Sequence, residues 1–337
     1  MKTLITARFD PQYINELNNY ATELRFDGYG VNGIKMETGR LIAALDGVEL
    51  LICECERITK EVLEAADSLK IILCCQSEAS SVVDVEAATQ KKIPVIFAGG
   101  ENAAAAAEYI IGLILCVSRN IVRSDRMLRS EYGVFDGSFL GGDTGSSFVP
   151  WDGPLMAGKT FGMIGFGAVG LQVARLTHAL GMELLIYDPY VKQPSIQHLN
   201  AELVNLDTVM SESDFISIDC PKKRGVKGLI SRDKIGLMKN DAYFVNTSCT
   251  WVLDYDALYE ALSEKRIAGA GLDVFPLEYT LRKNKFLSLG NAVLTPRLAS
   301  ATRDIVSHHT RIVLEQLNLM LHGKMPNFIC NPQVLKN

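Results

Sequence analysis

Short apolar runs alternate with polar stretches of helical period along the first hundred residues. Residues 3–8, 26–31, 49–53, 70–75 and 93–98 each have the length and composition of a buried strand. Such alternation predicts a parallel α/β unit. Asn102 is placed to cap a long Ala-rich helix running from Ala103 to about Asn120. Residues 121–157 then turn polar and irregular around GSFLGGDTGSSF, the pattern of an extended arm or loop.

A second set of strands follows at Thr160–Ile164, Glu183–Tyr187, Asp214–Ile218, Ala242–Asn246, Ala268–Val274 and Ala292–Leu294, with helical stretches such as Asp254–Glu264 between them. A final amphipathic helix from about Ala301 to Leu321 has no sheet of its own, so it is expected to return to the first unit. The fold class is therefore α/β, with two parallel-sheet domains. The first comprises residues 1–105 and 300–337 and is split around a central domain of residues 106–299. Two chain crossings between them would allow a hinged cleft.

The centre of the pattern is GKTFGMIGFGAVGLQVARLTHALGMELLIYDPY, residues 158–190. A strand runs into Gly165, Gly167 and Gly170, spaced G-x-G-x-x-G. A helix follows, with Val169, Val173, Leu176 and Leu180 on one face until Gly181. Each glycine has a separate job. Gly165 permits the tight turn, Gly167 lets the backbone approach a pyrophosphate, and Gly170 lets the helix pack on the strand. Asp188 closes the next strand, 18 positions after Gly170 (188 − 170). A carboxylate there accepts hydrogen bonds from ribose hydroxyls and repels a 2′-phosphate, so NAD is expected rather than NADP.

Composition narrows the classes. The chain has 337 residues, 48% of them hydrophobic and 22% charged, as in a globular protein with ample core. A net charge of −5 leaves no basic footprint for nucleic acid or an anionic membrane. Eight cysteines occur without a C-x-x-C pair or zinc spacing, so no metal site is expected, and they read as small apolar residues in a reducing compartment. The N-terminus has no signal-peptide pattern, and Ala103–Val117 is too short to span a bilayer, which together suggest the cytoplasm.

GKTFGMIGFGAVG, FVNTSCTWVLDYDAL, AGAGLDVFPLE and the AAAEYIIGLILCVSRN helix together resemble the D-isomer-specific 2-hydroxyacid dehydrogenases, the phosphoglycerate dehydrogenase-like family. The resemblance runs over essentially the whole chain and is weakest in the first 70 residues. It implies an NAD-dependent oxidoreductase that forms homodimers through the cofactor domain. It puts cofactor contacts on Ala168, Val169, Asp188, Cys220, Thr247, Ser248 and Asp273, and substrate contacts on Ser77 and Asn102.

The family's chemistry rests on an Arg that holds the substrate carboxylate, a His that moves the proton, and a Glu that orients the His. Here the Arg position is Cys249, the Glu is present as Glu278, and the His position is Arg297 in LTPRLASAT. The glycine-rich carboxylate loop has also drifted, reading QSEASSVV with Ser77 and Ala79 in place of glycines. A thiol supplies no permanent cation, and a guanidinium does not give up its proton usefully near neutrality. Positive charge has thus moved from one side of the expected site to the other. Arg297 could clamp an anionic group, with Glu278 as its partner, and the proton would come from Tyr279, water or the substrate. Each replaced position also has a plainer reading: Cys249 as a small buried turn residue, Arg297 as a structural ion pair with Glu278. The expected function is hydride transfer between NAD and a small polar or anionic hydroxy or oxo acid. The alternative is a non-catalytic protein that senses NAD(H).

Overall fold

A computed structural model describes residues 1–129, 152–193, 196, 199–220, 224–276 and 284–335. The chain divides into two compact units, Met1–Asn102 with Thr302–Asn337, and Ala103–Ala301.

The first unit is built on β1 (Lys2–Ile5), α1 (Ile14–Leu17), β2 (Glu23–Phe26), α2 (Tyr29–Asn32), α3 (Thr38–Ala44), β3 (Leu50–Cys53), α4 (Lys60–Ala65), β4 (Ile71–Cys74), α5 (Val85–Gln90) and β5 (Val95–Phe97). Its five strands are all parallel, in the order β2-β1-β3-β4-β5, a flavodoxin-like arrangement. β3 and β4 are buried along their whole length, which is why LLIC and IILC show no polar alternation. The second strand departs from the sequence expectation of residues 26–31 and ends at Phe26. Beyond it Gly28 takes φ +67, and the Gly30 N–H donates to the Thr6 carbonyl at 2.7 Å, folding the chain back onto the end of β1. A Cβ on Gly30 would lie 2.0 Å from the Ala7 carbonyl oxygen, so only glycine permits this approach.

The C-terminal helix, Ile305–Leu321, packs on this sheet through Ile312, Val313, Leu314 and Leu317, against Ile5, Ile52 and Leu73. Thr310 Oγ1 accepts from the Asp10 N–H at 3.2 Å, and the Tyr20 hydroxyl donates to Asn318 Oδ1 at 2.8 Å. The tail then covers the β5 edge. Ile96 bridges Ile329, and the buried Asn331 accepts from Val95 N–H and donates to the Ile93 carbonyl, each at 2.9 Å.

The second unit contains α6 (Ala103–Ser118), α7 (Ile121–Arg129), β6 (Thr160–Ile164), α8 (Ala168–Ala179), β7 (Glu183–Tyr187), β8 (Ala201–Leu203), α9 (Leu206–Glu212), β9 (Phe215–Ile218), α10 (Arg232–Gly236), β10 (Tyr243–Asn246), α11 (Tyr255–Ser263), β11 (Gly269–Leu272) and β12 (Ala292–Leu294). Its parallel sheet runs β12-β11-β10-β9-β6-β7-β8, the doubly wound dinucleotide-binding order with its switch point between β6 and β9. Part of the expected arm is helical: α7 begins at Ile121 and carries an Arg129–Asp125 pair one turn apart at 2.8 Å. Residues 130–151, with the GSFLGGDTGSSF stretch, lie outside the described residues. α6 lies close on the sheet. A Cβ on Gly269 would come within 2.7 Å of Val117, and one on Gly271 within 3.1 Å of Leu113. No single helix among the described residues is long and apolar enough to cross a membrane.

Candidate active site

The site grows from the end of β6. Gly165 takes φ +89 and donates its N–H to the Tyr187 carbonyl at 2.8 Å; a Cβ there would stand 2.0 Å from the Asp219 carbonyl oxygen. Gly170 is also required by packing, since its Cβ would meet Phe166 at 3.1 Å. Gly167 is different. It caps α8 with an ordinary φ of −88, and among the described residues nothing outside its chain neighbours lies nearer than 3.8 Å to its missing Cβ. The fold needs glycine at two of the three positions, and the third leaves open space over the first turn of α8, where Ala168 and Val169 sit.

Asp188 holds this turn to the end of β7. One carboxylate oxygen accepts from Phe166 N–H and the other from Tyr190 N–H, both at 2.8 Å. A cavity of about 540 Å³ opens at the switch point between Gly165, Gly167, Asp188, Asp219 and Cys220, with Val226 and Leu229 on its far wall. Burial pushes the Cys220 thiol up to about 12, with Asp219 adding to the shift. The backbone of Cys220 is clasped by Ser248, whose hydroxyl donates to its carbonyl at 2.7 Å and accepts from its N–H at 3.1 Å. Ser248 and Thr247 follow β10. The buried Asn246 before them accepts from Ser248 N–H at 3.0 Å and donates to the Cys249 carbonyl at 3.1 Å, shaping the turn. Cys249 is half-buried at the start of a 3-10 turn over Thr250–Val252.

Asp273, 2% exposed, is the anchor of the turn after β12. Its carboxylate accepts from Thr295 Oγ1 at 2.6 Å, Leu298 N–H at 2.8 Å and Ala299 N–H at 2.9 Å. Arg297, inside that turn, has a left-handed φ of +59 and donates its N–H to the Asp273 carbonyl at 2.9 Å. Its side chain is exposed. Glu278 and Tyr279 lie outside the described residues.

Ser77 and Asn102 belong to the first unit. Both donors of Ser77 are engaged by one residue: its N–H reaches Glu101 Oε1 at 3.1 Å, and its hydroxyl bonds to Glu101 Oε2. Burial holds the Glu101 carboxyl above the usual carboxylate range despite these donors. Asn102 is half-buried immediately before α6. On the C-terminal helix His309 is 1% exposed, neither ring nitrogen has a hydrogen-bond partner among the described residues, and burial lowers its pKa to about 4. Among the described residues no cluster of His, Cys, Asp and Glu could hold a metal.

Comparison with known proteins agrees with this geometry. Residues 111–299 match the family model for the D-isomer specific 2-hydroxyacid dehydrogenase, NAD binding domain. A glyoxylate reductase from Thermofilum pendens is 33% identical over 294 residues, spanning 85% of this chain and 82% of that protein. A hydroxypyruvate reductase from Thermotoga maritima is 32% identical over 303 residues, spanning 88% of this chain and 94% of its own length. Among solved structures, the apo D-lactate dehydrogenase of Escherichia coli superposes with a TM-score of 0.70 at 27% identity, over 98% of this chain and 100% of that one. The chain belongs to the D-isomer-specific 2-hydroxyacid dehydrogenase family. It is a dehydrogenase/reductase whose second unit is the NAD-binding domain.

The residues present fit that cofactor. Among the described residues Gly167 has no packing reason to lack a side chain, whereas a pyrophosphate over the N-terminus of α8 supplies one. The cavity is lined by both the glycine turn and Asp188. Sequence reasoning passed over Asp219. Its one local signal was its place at the end of DFISI, directly before Cys220.

Proposed function

We propose that the enzyme moves a hydride between NAD and a small polar or anionic hydroxy or oxo acid, with Arg297 binding the substrate where the family resemblance expects the proton carrier. The backbone at Arg297 carries this reading. A left-handed conformation costs a non-glycine residue about 1–2 kcal/mol, and here the hydrogen bonds that Asp273 accepts from the N–H groups of Arg297, Leu298 and Ala299 maintain it. Strain held in place by its surroundings is characteristic of functional positions. Among the described residues, which do not include Glu278, the guanidinium has no ion pair, and its planar fork suits a carboxylate or carbonyl oxygen.

In this reading NAD, when bound, supplies or accepts the hydride. Asp188 meets its ribose hydroxyls, the first turn of α8 with Ala168 and Val169 meets its phosphates, and Cys220, Thr247, Ser248 and Asp273 line the path toward the nicotinamide. Glu278 holds the Arg297 guanidinium and Cys249 faces the substrate; the family resemblance also assigns substrate contacts to Ser77 and Asn102. The proton comes from water, Tyr279 or the substrate itself. The family resemblance supports a homodimer, which light scattering would register as twice 37.0 kDa.

The test is NADH oxidation with glyoxylate, hydroxypyruvate and a wider panel of 2-oxoacids, on wild type and Arg297→Ala. Turnover that falls at least about tenfold in kcat/KM in the variant, with NADH affinity unchanged, supports the assignment. Equal kcat/KM in the two proteins removes Arg297 from the substrate site. NADH binding without turnover on any of the panel favours the sensor reading instead.

A further inference from the structure

Asp219 stands in the cofactor cavity without a role in the reading above. It ends β9 directly beside the glycine turn, with its N–H donated to the Ile164 carbonyl at 2.8 Å. Its own carbonyl is what forbids a Cβ on Gly165, so its backbone lies directly against the turn. Its carboxyl oxygen Oδ2 is the nearest atom, at 3.8 Å, to a Cβ built on Gly167. The carboxyl therefore faces the N-cap of α8, the place where the glycine spacing puts a pyrophosphate.

Among the described residues the cavity lining supplies no counter-charge. From the β7 end comes Asp188, another carboxylate, with both oxygens engaged by backbone N–H groups. Tyr187 and Tyr190 add phenols, and Cys220 adds a thiol that burial keeps neutral. Cys249 adds a second thiol from the turn after β10. The cavity lining among the described residues includes no Lys, Arg or His; Lys222, Lys223 and the Arg224 side chain lie outside those residues. Asp219 itself has no side-chain hydrogen bond or ion pair among the described residues. Burial raises its pKa to about 6, which puts a proton within reach near neutrality.

We propose that Asp219 binds the dinucleotide in its protonated form, its carboxyl O–H donating to a pyrophosphate oxygen, so that each cofactor bound draws one proton from solvent. An ionised Asp219 would instead set an anion against the phosphates over the same helix end, which already draws on a limited positive field. The proton adds to the carboxylate oxygen and no other bond changes. Cofactor affinity therefore falls as the pH rises above the range where free Asp219 is protonated.

The experiment uses NADH as the probe, with the full chain, by fluorescence titration from pH 6 to pH 8.5. By linkage, the wild-type Kd should rise roughly 5- to 50-fold between pH 6 and pH 8, the size depending on how far binding raises the carboxyl pKa. Asp219→Asn, a neutral donor of the same shape, should vary less than about twofold and bind tighter than wild type at pH 8. A flat wild-type profile overturns the proposal, as does a variant that keeps the wild-type slope. A variant weaker than wild type at every pH also overturns it, because the carboxylate would then be accepting from a ribose hydroxyl. Where Asp219→Asn fails to fold, calorimetry of wild type in buffers of differing ionisation heat decides. Uptake of roughly 0.2–1 proton per NADH at pH 7.5 supports the assignment, and less than about 0.2 overturns it.

Discussion

Asp273 surrounds Arg297. The Asp273 carbonyl takes the Arg297 N–H at 2.9 Å, while its carboxylate takes the next two N–H groups, of Leu298 and Ala299, at 2.8 and 2.9 Å. The turn that presents Arg297 is thus organised by one buried acid at the end of β11, and the two residues are expected to fail together.

Asp273→Ala leaves Thr295 Oγ1 and two backbone N–H groups without their acceptor. Unsatisfied buried groups cost about 1–3 kcal/mol each, so a loss of at least about 2 kcal/mol is expected. Urea denaturation measures it, and an unchanged midpoint would show that water replaces the carboxylate at no cost.

Arg297→Gly separates stability from function. Glycine takes φ +59 without strain, so the variant should be more stable by about 1 kcal/mol, while kcat/KM falls with that of Arg297→Ala. Loss of both stability and activity would instead make Arg297 part of the framework.

The three glycines should divide in the same way. Gly165→Ala places a Cβ 2.0 Å from the Asp219 carbonyl oxygen at φ +89 and should unfold the turn. Gly167→Ala meets nothing within 3.4 Å among the described residues, so its Tm should stay near that of wild type while NADH binding weakens at least about tenfold. Thermal melts and NADH titrations of both variants check this directly.

Asp188→Ala should weaken NADH binding roughly 10- to 150-fold for each charged hydrogen bond lost, at about 1.5–3 kcal/mol. Wild type should bind NADPH at least about tenfold more weakly than NADH, because the carboxylate repels a 2′-phosphate. Equal affinity for the two by calorimetry would contradict that role.

His309 should make the fold acid-sensitive. Its folded pKa of about 4 lies below the ordinary 6.5, so the unfolded chain binds the extra proton first. The stability held by neutral His309, about 3 kcal/mol, is complete above pH 6.5 and is lost as the pH falls toward 4. Asp219 acts in the opposite direction, losing its contribution as the pH rises from 3.8 toward 6. The comparison is therefore His309→Leu against wild type: the stability gap between them should shift in favour of the variant as the pH drops from 7 to 5.

The glycine turn was readable because its demands are local. A left-handed φ at Gly165, an open Cβ position at Gly167 and a close helix at Gly170 fall within six consecutive residues, and the strands on either side match the sequence limits of 160–164 and 183–187. Fully apolar stretches such as LLIC were equally plain, because a parallel strand covered on both faces needs no alternation. Other features depend on partners distant in sequence. β8 is three residues long and is a strand only because it lies along β7. α7 is polar enough to read as loop, and β2 ends early because Gly30 must reach the backbone of β1. Asp219 looked like the last residue of an ordinary strand. Its carboxyl became part of the cofactor cavity because β9 pairs with β6, which brings it to a glycine 54 positions away (219 − 165). The sequence by itself determined which backbones could bend, bury or cap; strand order, set by burial of both sheet faces, decided which side chains came to share the cavity.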